Sequence, residues 1–426
     1  MHSLCGGAKR GRAGLTLPGR IVGTLFSLGV PTSAITAAVY EPRGGRKSPD
    51  SARSEAGGAF VPGNRVVLIE DAAKALRRML QSIEAAQSWI WLEMYWFDSD
   101  AVGKRFFDAL TDRASRGIEV FVLYDALGSF GTDTARFEQL IQAGARVAAF
   151  NPVRPFAHRF RLGKLTRRNH RKLLIVDGEV AFTGGVNLAQ QWASEEEGGE
   201  SWRDEIVEIR GPVLAELERA FRESWRHTCG QRLTERQVDA TPVGRSSVAV
   251  LTQAGVLRRH QVLAAYLVRL RSARQRVFVC HAYFLPNASL RRALMRAARR
   301  GVDVRVIVPA RCDVELVRLG SRAIWGRLLR AGVRIFEWQP TILHSKMAVV
   351  DRAWATVGSY NLDYLSARRN RELNVAILDP EFAGHADDIL EAALAECTEV
   401  DPVIHRYRPL WARTIEHVLY WFRAWL

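Results

Sequence analysis

Asn169-His170-Arg171-Lys172-Leu173-Leu174-Ile175-Val176-Asp177 returns, 174 residues later, as Leu343-His344-Ser345-Lys346-Met347-Ala348-Val349-Val350-Asp351. Both read H-x-K-x4-D. Only 7 of the 61 basic residues are lysine, so two lysines in the same place after a histidine make a doubled signal, far stronger than one pattern match. The apolar residues between Lys and Asp are β-prone, and the first run ends in the turn signal Asp177-Gly178, so each stretch predicts a strand. Side chains at i and i+2 of a strand share a face. His170 and Lys172 therefore point one way together, as do His344 and Lys346, while Asp177 and Asp351 point the other way and support the pair from behind. Gly184-Gly185-Val186-Asn187 begins 14 residues past the first histidine and Gly358-Ser359-Tyr360-Asn361 begins 14 past the second. Each supplies small, backbone-exposing positions and an amide donor.

Working outward, the whole pattern repeats. Asp71 caps a helix to about Ala86, the β-rich run Trp89 to Phe97 follows, and a helix from about Ala101 leads into Gly117 to Asp125. Strand, helix, strand is the rhythm of a parallel sheet in an α/β fold. Val277 to Phe284 matches the first strand, Gly301 to Val308 matches Gly117 onward, and Gly332 to Phe336 with Pro340 matches Gly144 to Ala148 with Pro152. The offsets vary by loop insertions while element order is kept, which predicts a tandem duplication. A helix from about Val213 to His227 and a polar stretch to Arg245 join the halves. One acid recurs at corresponding strand starts, Asp204 and Glu372, and is expected to orient a histidine as a third group does beside a nucleophile and a base.

At 426 residues with 48% hydrophobic content the chain is long enough for two ordinary domains. A net charge of +16 implies acidic partners, either nucleic acid or an anionic membrane surface. Cys5, Cys229, Cys280, Cys312 and Cys397 are odd in number and lack C-x-x-C spacing, which argues against disulfide staples and zinc ligation. Residues 1 to about 60 read as a disordered leader. Its 20 uncharged residues between Arg20 and Glu41 are diluted by Gly23, Gly29 and Pro31, so no membrane span is expected there. At the other end Trp411, Ile415, Val418, Phe422 and Trp425 fall on one helix face flanked by Arg408, Arg413 and Arg423. That pattern suits the headgroup boundary of an anionic membrane and equally a helix packed on its own domain.

The doubled H-x-K-x4-D followed by G-G/S-x-N resembles the phospholipase D superfamily. Three flanks resemble its bacterial cardiolipin synthase branch: Ser201-Trp202-Arg203-Asp204 leading to Gly211-Pro212, Tyr283-Phe284-Leu285-Pro286, and Gly358 to Asp363. The resemblance covers about residues 61 to 400. It implies two tandem phospholipase D-like α/β sandwich domains, 61–228 and 247–400, joined by a linker at 229–246 and related by pseudo-twofold symmetry, with the active site at their interface. Residues 401–426 would form a membrane-interface helix, and the protein would sit peripherally on the cytoplasmic face of the cell membrane.

Phosphodiester exchange needs a nucleophile, an acid for the leaving oxygen and positive charge around the phosphoryl oxygens. The resemblance implies that His170 attacks phosphorus to form a phosphohistidine and that His344 serves as acid and base. The catalytic set it implies is His170, Lys172, Asp177, His344, Lys346 and Asp351. Asn187, Gly185, Ser359 and Asn361, with Asp204 and Glu372, make the expected substrate-binding set, and neither metal nor cofactor is called for. Arg154, Arg159, Arg161, Lys164, Arg167, Arg168 and Arg171, with Phe156 and Phe160, form a basic insertion of the first copy and a candidate headgroup-binding lip. Transfer from phosphatidylglycerol to a second lipid hydroxyl is the expected reaction, hydrolysis the first alternative and a nuclease the second. The partner expected is anionic phospholipid, not nucleic acid, and two complete motifs argue against a silent scaffold.

Overall fold

Asp71 accepts a hydrogen bond from the Lys74 amide at 3.0 Å and starts the first helix, as its sequence predicts. The computed structural model describes residues 59–152, 167–253 and 260–423. The predicted leader and most of the basic insertion lie outside them. The first copy runs β1 (Val61–Ile69), α1 (Ala72–Ala85), β2 (Trp89–Met94), α2 (Ala101–Ser115), β3 (Glu119–Asp125), α3 (Thr134–Gln142), β4 (Arg146–Phe150), β5 (Leu173–Val176), β6 (Val180–Gly184), β7 (Ile206–Arg210) and α4 (Leu214–Cys229). The second runs β8 (Ser246–Gln253), α5 (Gln261–Ser272), β9 (Arg276–His281), α6 (Ala288–Arg299), β10 (Asp303–Pro309), α7 (Glu315–Leu329), β11 (Arg334–Trp338), β12 (Lys346–Val350), β13 (Trp354–Gly358), α8 (Tyr364–Arg368), β14 (Glu372–Leu378), α9 (Pro380–Ala393) and β15 (Cys397–Glu399). Two helices follow, α10 (Pro402–Arg406) and α11 (Leu410–Trp421).

The predicted duplication is present: β1 to β7 recur in order as β8 to β14, while α8 and β15 belong to the second copy alone. In each copy three strands are parallel, β2-β3-β4 and β9-β10-β11, and the rest of that copy's sheet pairs antiparallel. Two separate sheets were expected to meet. They are instead hydrogen-bonded edge to edge through β1 and β8 into one 15-stranded sheet, with an irregular register between Val61 and Asn64. Each edge would otherwise leave unpaired backbone groups, and pairing the two copies satisfies both. On one sheet face a single core is shared by both halves. Trp91 stacks on Phe221 at 4.9 Å and Phe121 meets Trp225 at 4.8 Å under α4, while Phe382 and Leu390 of α9 cover Met347 and Val375. On the other face each half keeps its own core beneath α1 to α3 and α5 to α7. Truncating a fully buried aromatic such as Trp91 costs about 3–5 kcal/mol.

Both motif strands start later than the motif. β5 begins at Leu173 and β12 at Lys346, so the histidines sit on the extended lead-in to each strand. Each lead-in is pinned by the opposite half: the His170 amide donates to the Arg371 carbonyl at 2.9 Å and the His344 amide to the Arg203 carbonyl at 2.8 Å. Asp177 and Asp351 end the strands at positive φ, 54° and 53°. Asp177 accepts the amides of Gln87, Ser88 and Trp89, and Asp351 those of Arg274, Gln275 and Arg276, all between 2.8 and 3.0 Å. They cap the turns that lead into β2 and β9, away from the histidines.

The last helix, α11, turns the described part of its predicted apolar face outward, and Trp425 lies outside the described residues. Trp411 and Trp421 are 69% and 78% exposed, and Leu410, Ile415, Val418 and Phe422 are exposed with them, beside Val403, Ile404 and Tyr407 around α10. The other side packs on α7, where Leu419 and Tyr420 approach Gly320. Glu416 is buried and bonded to Arg408 at 2.6 Å, with Arg322 at 3.5 Å. Arg408, expected to flank the apolar face, is therefore committed to an internal carboxylate. Among the described residues no helix is long and apolar enough to cross a membrane.

Candidate active site

The two lead-ins bring His170 and His344 to the wall of one cavity of about 630 Å³, whose lining also includes Tyr95, Arg168, Asn187, Trp192, Trp202, Tyr283, Asp313, Asn361 and Asp363. Each ring is held from the opposite half. Glu372 Oε2 lies 3.0 Å from His170 Nδ1, and the Ser359 carbonyl lies 3.0 Å from the same nitrogen. Asp204 Oδ2 lies 2.6 Å from His344 Nδ1. Both neighbours of His170 Nδ1 are acceptors, which puts the ring proton on Nδ1 and leaves Nε2 with its lone pair. His344 is held differently, because its Nδ1 also lies 2.7 Å from Lys346 Nζ.

Burial and the neighbouring lysines set the charges. Burial first and Lys172 second lower the pKa of His170, against the opposing pull of Glu372, so the ring is a neutral base before substrate arrives. Burial and Lys346 hold His344 well below the ordinary imidazole value. Burial and the nearby Lys346 ammonium bring Lys172 down to about 7, and burial likewise lowers Lys346. Burial raises Asp204 to about 6. Glu372 is equally buried, yet His170, the Ser359 hydroxyl and Lys172 together outweigh that burial and keep its carboxyl below the usual range. Lys172 reaches back to the His170 carbonyl at 3.0 Å and lies 5.1 Å from the centre of the Tyr95 ring.

The predicted residues are distributed unevenly around this cavity. Asn187 and Asn361 line it. Gly185 and Ser359, expected to donate to a bound phosphate, serve the acids instead. Any Cβ on Gly185 would overlap the Asp204 carboxylate, and the Ser359 hydroxyl donates to Glu372 at 2.5 Å. Asp204 and Glu372, grouped with the substrate-binding set, touch the histidines and lie behind the cavity wall. Asp177 and Asp351 are structural caps. Arg168, from the predicted lip, lines the cavity but is buried and tied to Asp125 at 2.8 Å. Arg171 points to the opposite face, where it donates to the carbonyls of Glu372 and Ala220. Residues 153–166 of that lip lie outside the described residues. His281 is buried and bonded to Tyr266 at 2.9 Å, outside the cavity lining.

Sequence reading missed the aromatic and acidic surround. Tyr95 packs edge-on to His170 at 4.8 Å, and Trp192 and Tyr283 pack edge-on to His344 at 5.2 and 6.4 Å. Tyr95 follows β2 by one residue and Tyr283 follows β9 by two, so the two tyrosines reach their histidines from neighbouring and not from matched positions of the two copies. The Tyr283 hydroxyl donates to Asp313 at 2.5 Å, and Asp313 raises the pKa of His344 against burial. The arrangement offers two buried imidazoles and two amides around a space sized for a phosphodiester head, with Lys172 and Lys346 buried behind the histidines and outside the cavity lining, and with no cluster among the described residues placed to hold a metal ion.

Comparison with known proteins places this geometry in context. A family model described as cardiolipin synthase, phospholipase D-like domain matches residues 79–225 and 266–394. The chain is 35% identical over 343 residues to cardiolipin synthase A of Pseudomonas aeruginosa, covering 80% of this chain and 69% of the relative. It is 31% identical over 361 residues to cardiolipin synthase of Geobacillus thermodenitrificans, covering 83% and 71%. Its fold is similar to the crystal structure of phosphatidylserine synthase from Haemophilus influenzae Rd KW20, with a TM-score of 0.66 and 12% identity over 86% of this chain and 97% of that one.

Proposed function

The chain belongs to the cardiolipin synthase family built on phospholipase D-like domains and is an enzyme of that superfamily; from that premise we propose that it transfers the phosphatidyl group of one phosphatidylglycerol to a hydroxyl of a second, giving cardiolipin and glycerol. The observation that carries this reading is that His170 and His344, each backed by a carboxylate from the other half, line one cavity. His170 Nε2 attacks phosphorus as the bond to the glycerol oxygen breaks, and His344 gives that oxygen its proton. The incoming lipid hydroxyl then loses its proton to His344, attacks phosphorus and displaces His170, restoring both rings. The tautomers favour this division of labour. Nδ1 of His170 faces two acceptors, which leaves Nε2 nucleophilic. To act as the acid His344 carries both ring protons, Nδ1–H held by Asp204 at 2.6 Å and Nε2–H offered to the leaving oxygen. Lys172, Lys346, Asn187 and Asn361 supply charge and donors for the phosphoryl oxygens.

Membrane contact through α11 is part of the same reading. Its exposed tryptophans and aliphatic residues suit the headgroup boundary of a lipid surface, and the protein would act peripherally, on the cytoplasmic face. Hydrolysis is the competing outcome, since water can replace the second lipid at the phosphohistidine. Incubating purified protein with labelled phosphatidylglycerol decides between them: cardiolipin with released glycerol is expected, and phosphatidic acid as the sole product would overturn the assignment.

A further inference from the structure

Alternate residues of the catalytic segments face away from the cavity. Arg171 lies between His170 and Lys172, and Arg371 immediately precedes Glu372, so both side chains emerge behind the sheet, toward α4. There Arg371, in front of the fully buried Arg171, reaches a second cavity of about 720 Å³ lined also by Arg219, Arg222, Arg226 and Arg232, with Glu223 the carboxylate among its described lining residues. Arg219 and Arg222 are engaged by Glu216 and by Glu218 and Glu235. Arg226 and Arg232 have no ion-pair partner among the described residues.

Arg371 is the telling member. Its side chain is only 9% exposed, its Nε has no hydrogen-bond partner, and its guanidinium reaches Ser224 Oγ at 3.5 Å, an oxygen that Arg171 already holds at 2.8 Å. Burial, then the neighbouring Arg171, lowers its pKa to about 9, and the carboxylates of Glu93 and Glu223 offset this only in part. A buried cation beside a second buried cation is an expensive arrangement unless an anion completes it. Arginine forks match the oxygens of a phosphate in pairs, which a point charge does not. The concave shape also favours a compact phosphate over a polynucleotide, which needs an open track with stacking aromatics.

We propose that this cavity is a second anion site, distinct from the catalytic cavity, that binds a phosphate-bearing ligand against Arg371, Arg226 and Arg232. Its floor is the back of the catalytic segments. The Arg371 carbonyl accepts the His170 amide at 2.9 Å, and Arg171 Nε donates to the Glu372 carbonyl at 3.2 Å. The ligand chemistry is shared by free phosphate and by the headgroup of an anionic lipid.

Calorimetric titration with inorganic phosphate at fixed ionic strength tests it, comparing the wild-type chain with an Arg226→Gln/Arg232→Gln double variant. Both positions are exposed and outside the catalytic machinery, and an unchanged Tm without phosphate checks the fold. The wild type is expected to bind two phosphates. In the double variant one should persist, in the catalytic cavity, and the other should weaken at least tenfold. Dihexanoyl phosphatidic acid below its micellar concentration separates the sources: displacement of the variant-sensitive phosphate assigns the site to a lipid headgroup, and failure to displace it assigns the site to free phosphate. Identical stoichiometry and affinity in the two proteins would overturn the proposal.

Discussion

Replacing Glu372 separates two contributions that its carboxylate makes to His170, orientation and charge. Oε2 accepts from His170 Nδ1 and from the Ser359 hydroxyl, while Oε1 accepts from the Ser366 hydroxyl at 2.7 Å. In Glu372→Gln the amide nitrogen fits at the Oε1 position, because a serine hydroxyl can turn to accept. The remaining oxygen still faces Nδ1, so the ring keeps its tautomer and loses only the neighbouring charge. A charged hydrogen bond exceeds a neutral one by about 1–2 kcal/mol, and the imidazolium that forms at phosphohistidine amplifies the difference. The expected loss in kcat is on the order of 10²-fold, about 2.7 kcal/mol. Glu372→Ala removes orientation as well and should lose on the order of 10⁴-fold, as removal of the orienting acid does elsewhere. Transfer is measured from labelled phosphatidylglycerol in mixed micelles, with Tm followed for both variants. An alanine variant retaining more than about a tenth of wild-type turnover would refute the orienting role. Equal losses in the two variants would refute the argument that glutamine preserves the geometry.

Other perturbations probe the rest of the site. Lys172 titrates at about 7, and its charged form lies below that value. The proposed phosphate-binding charge is therefore lost as pH rises, kcat/KM should fall through about pH 7, and Lys172→Arg should carry that limb to higher pH; an unmoved limb would rule Lys172 out. Gly185→Ala pushes a methyl into the buried Asp204 carboxylate and should cost kcat on the order of 10²-fold together with about 1–3 kcal/mol of stability, so full activity per folded molecule would show that Asp204 need not sit where it does. Asp177→Asn and Asp351→Asn weaken three backbone bonds each and should lower stability by about 1–3 kcal/mol while leaving kcat per folded molecule unchanged, which denaturant unfolding and active-site titration check together. Trp411→Glu/Trp421→Glu should reduce pelleting with phosphatidylglycerol vesicles at least about tenfold at unchanged Tm, and undiminished pelleting would remove α11 from the membrane contact.

Much of this was legible in the sequence because it depends on local spacing. The two-residue step from histidine to lysine, the turn after each aspartate and the matched order of elements are all short-range signals, and they place β5, β12 and the support role of Asp177 and Asp351. The recurrence of Asp204 and Glu372 marked them as histidine partners. It did not say that each serves the opposite half, since that follows from how the copies dock. Ser359 and Asn361 are two residues apart in one loop and look alike as donors, but Ser359 turns inward to Glu372 and Asn361 faces the cavity. Arg171 looked like one of seven basic lip residues, and alternation along the segment sends it to the far face. For α11 the apolar periodicity was plain, whereas the burial of Glu416 rests on Arg408 and Arg322, brought together by tertiary packing.

The exchange of carboxylates between halves has a consequence for how the chain can be divided. A fragment carrying the first copy holds a histidine whose acid is on the missing piece, and a fragment carrying the second is deprived in the same way. Neither is a weak enzyme in its own right. Reassociation of the two fragments would restore both partnerships at once, so recovered turnover should rise with the product of the fragment concentrations at low occupancy, as a bimolecular complementation does.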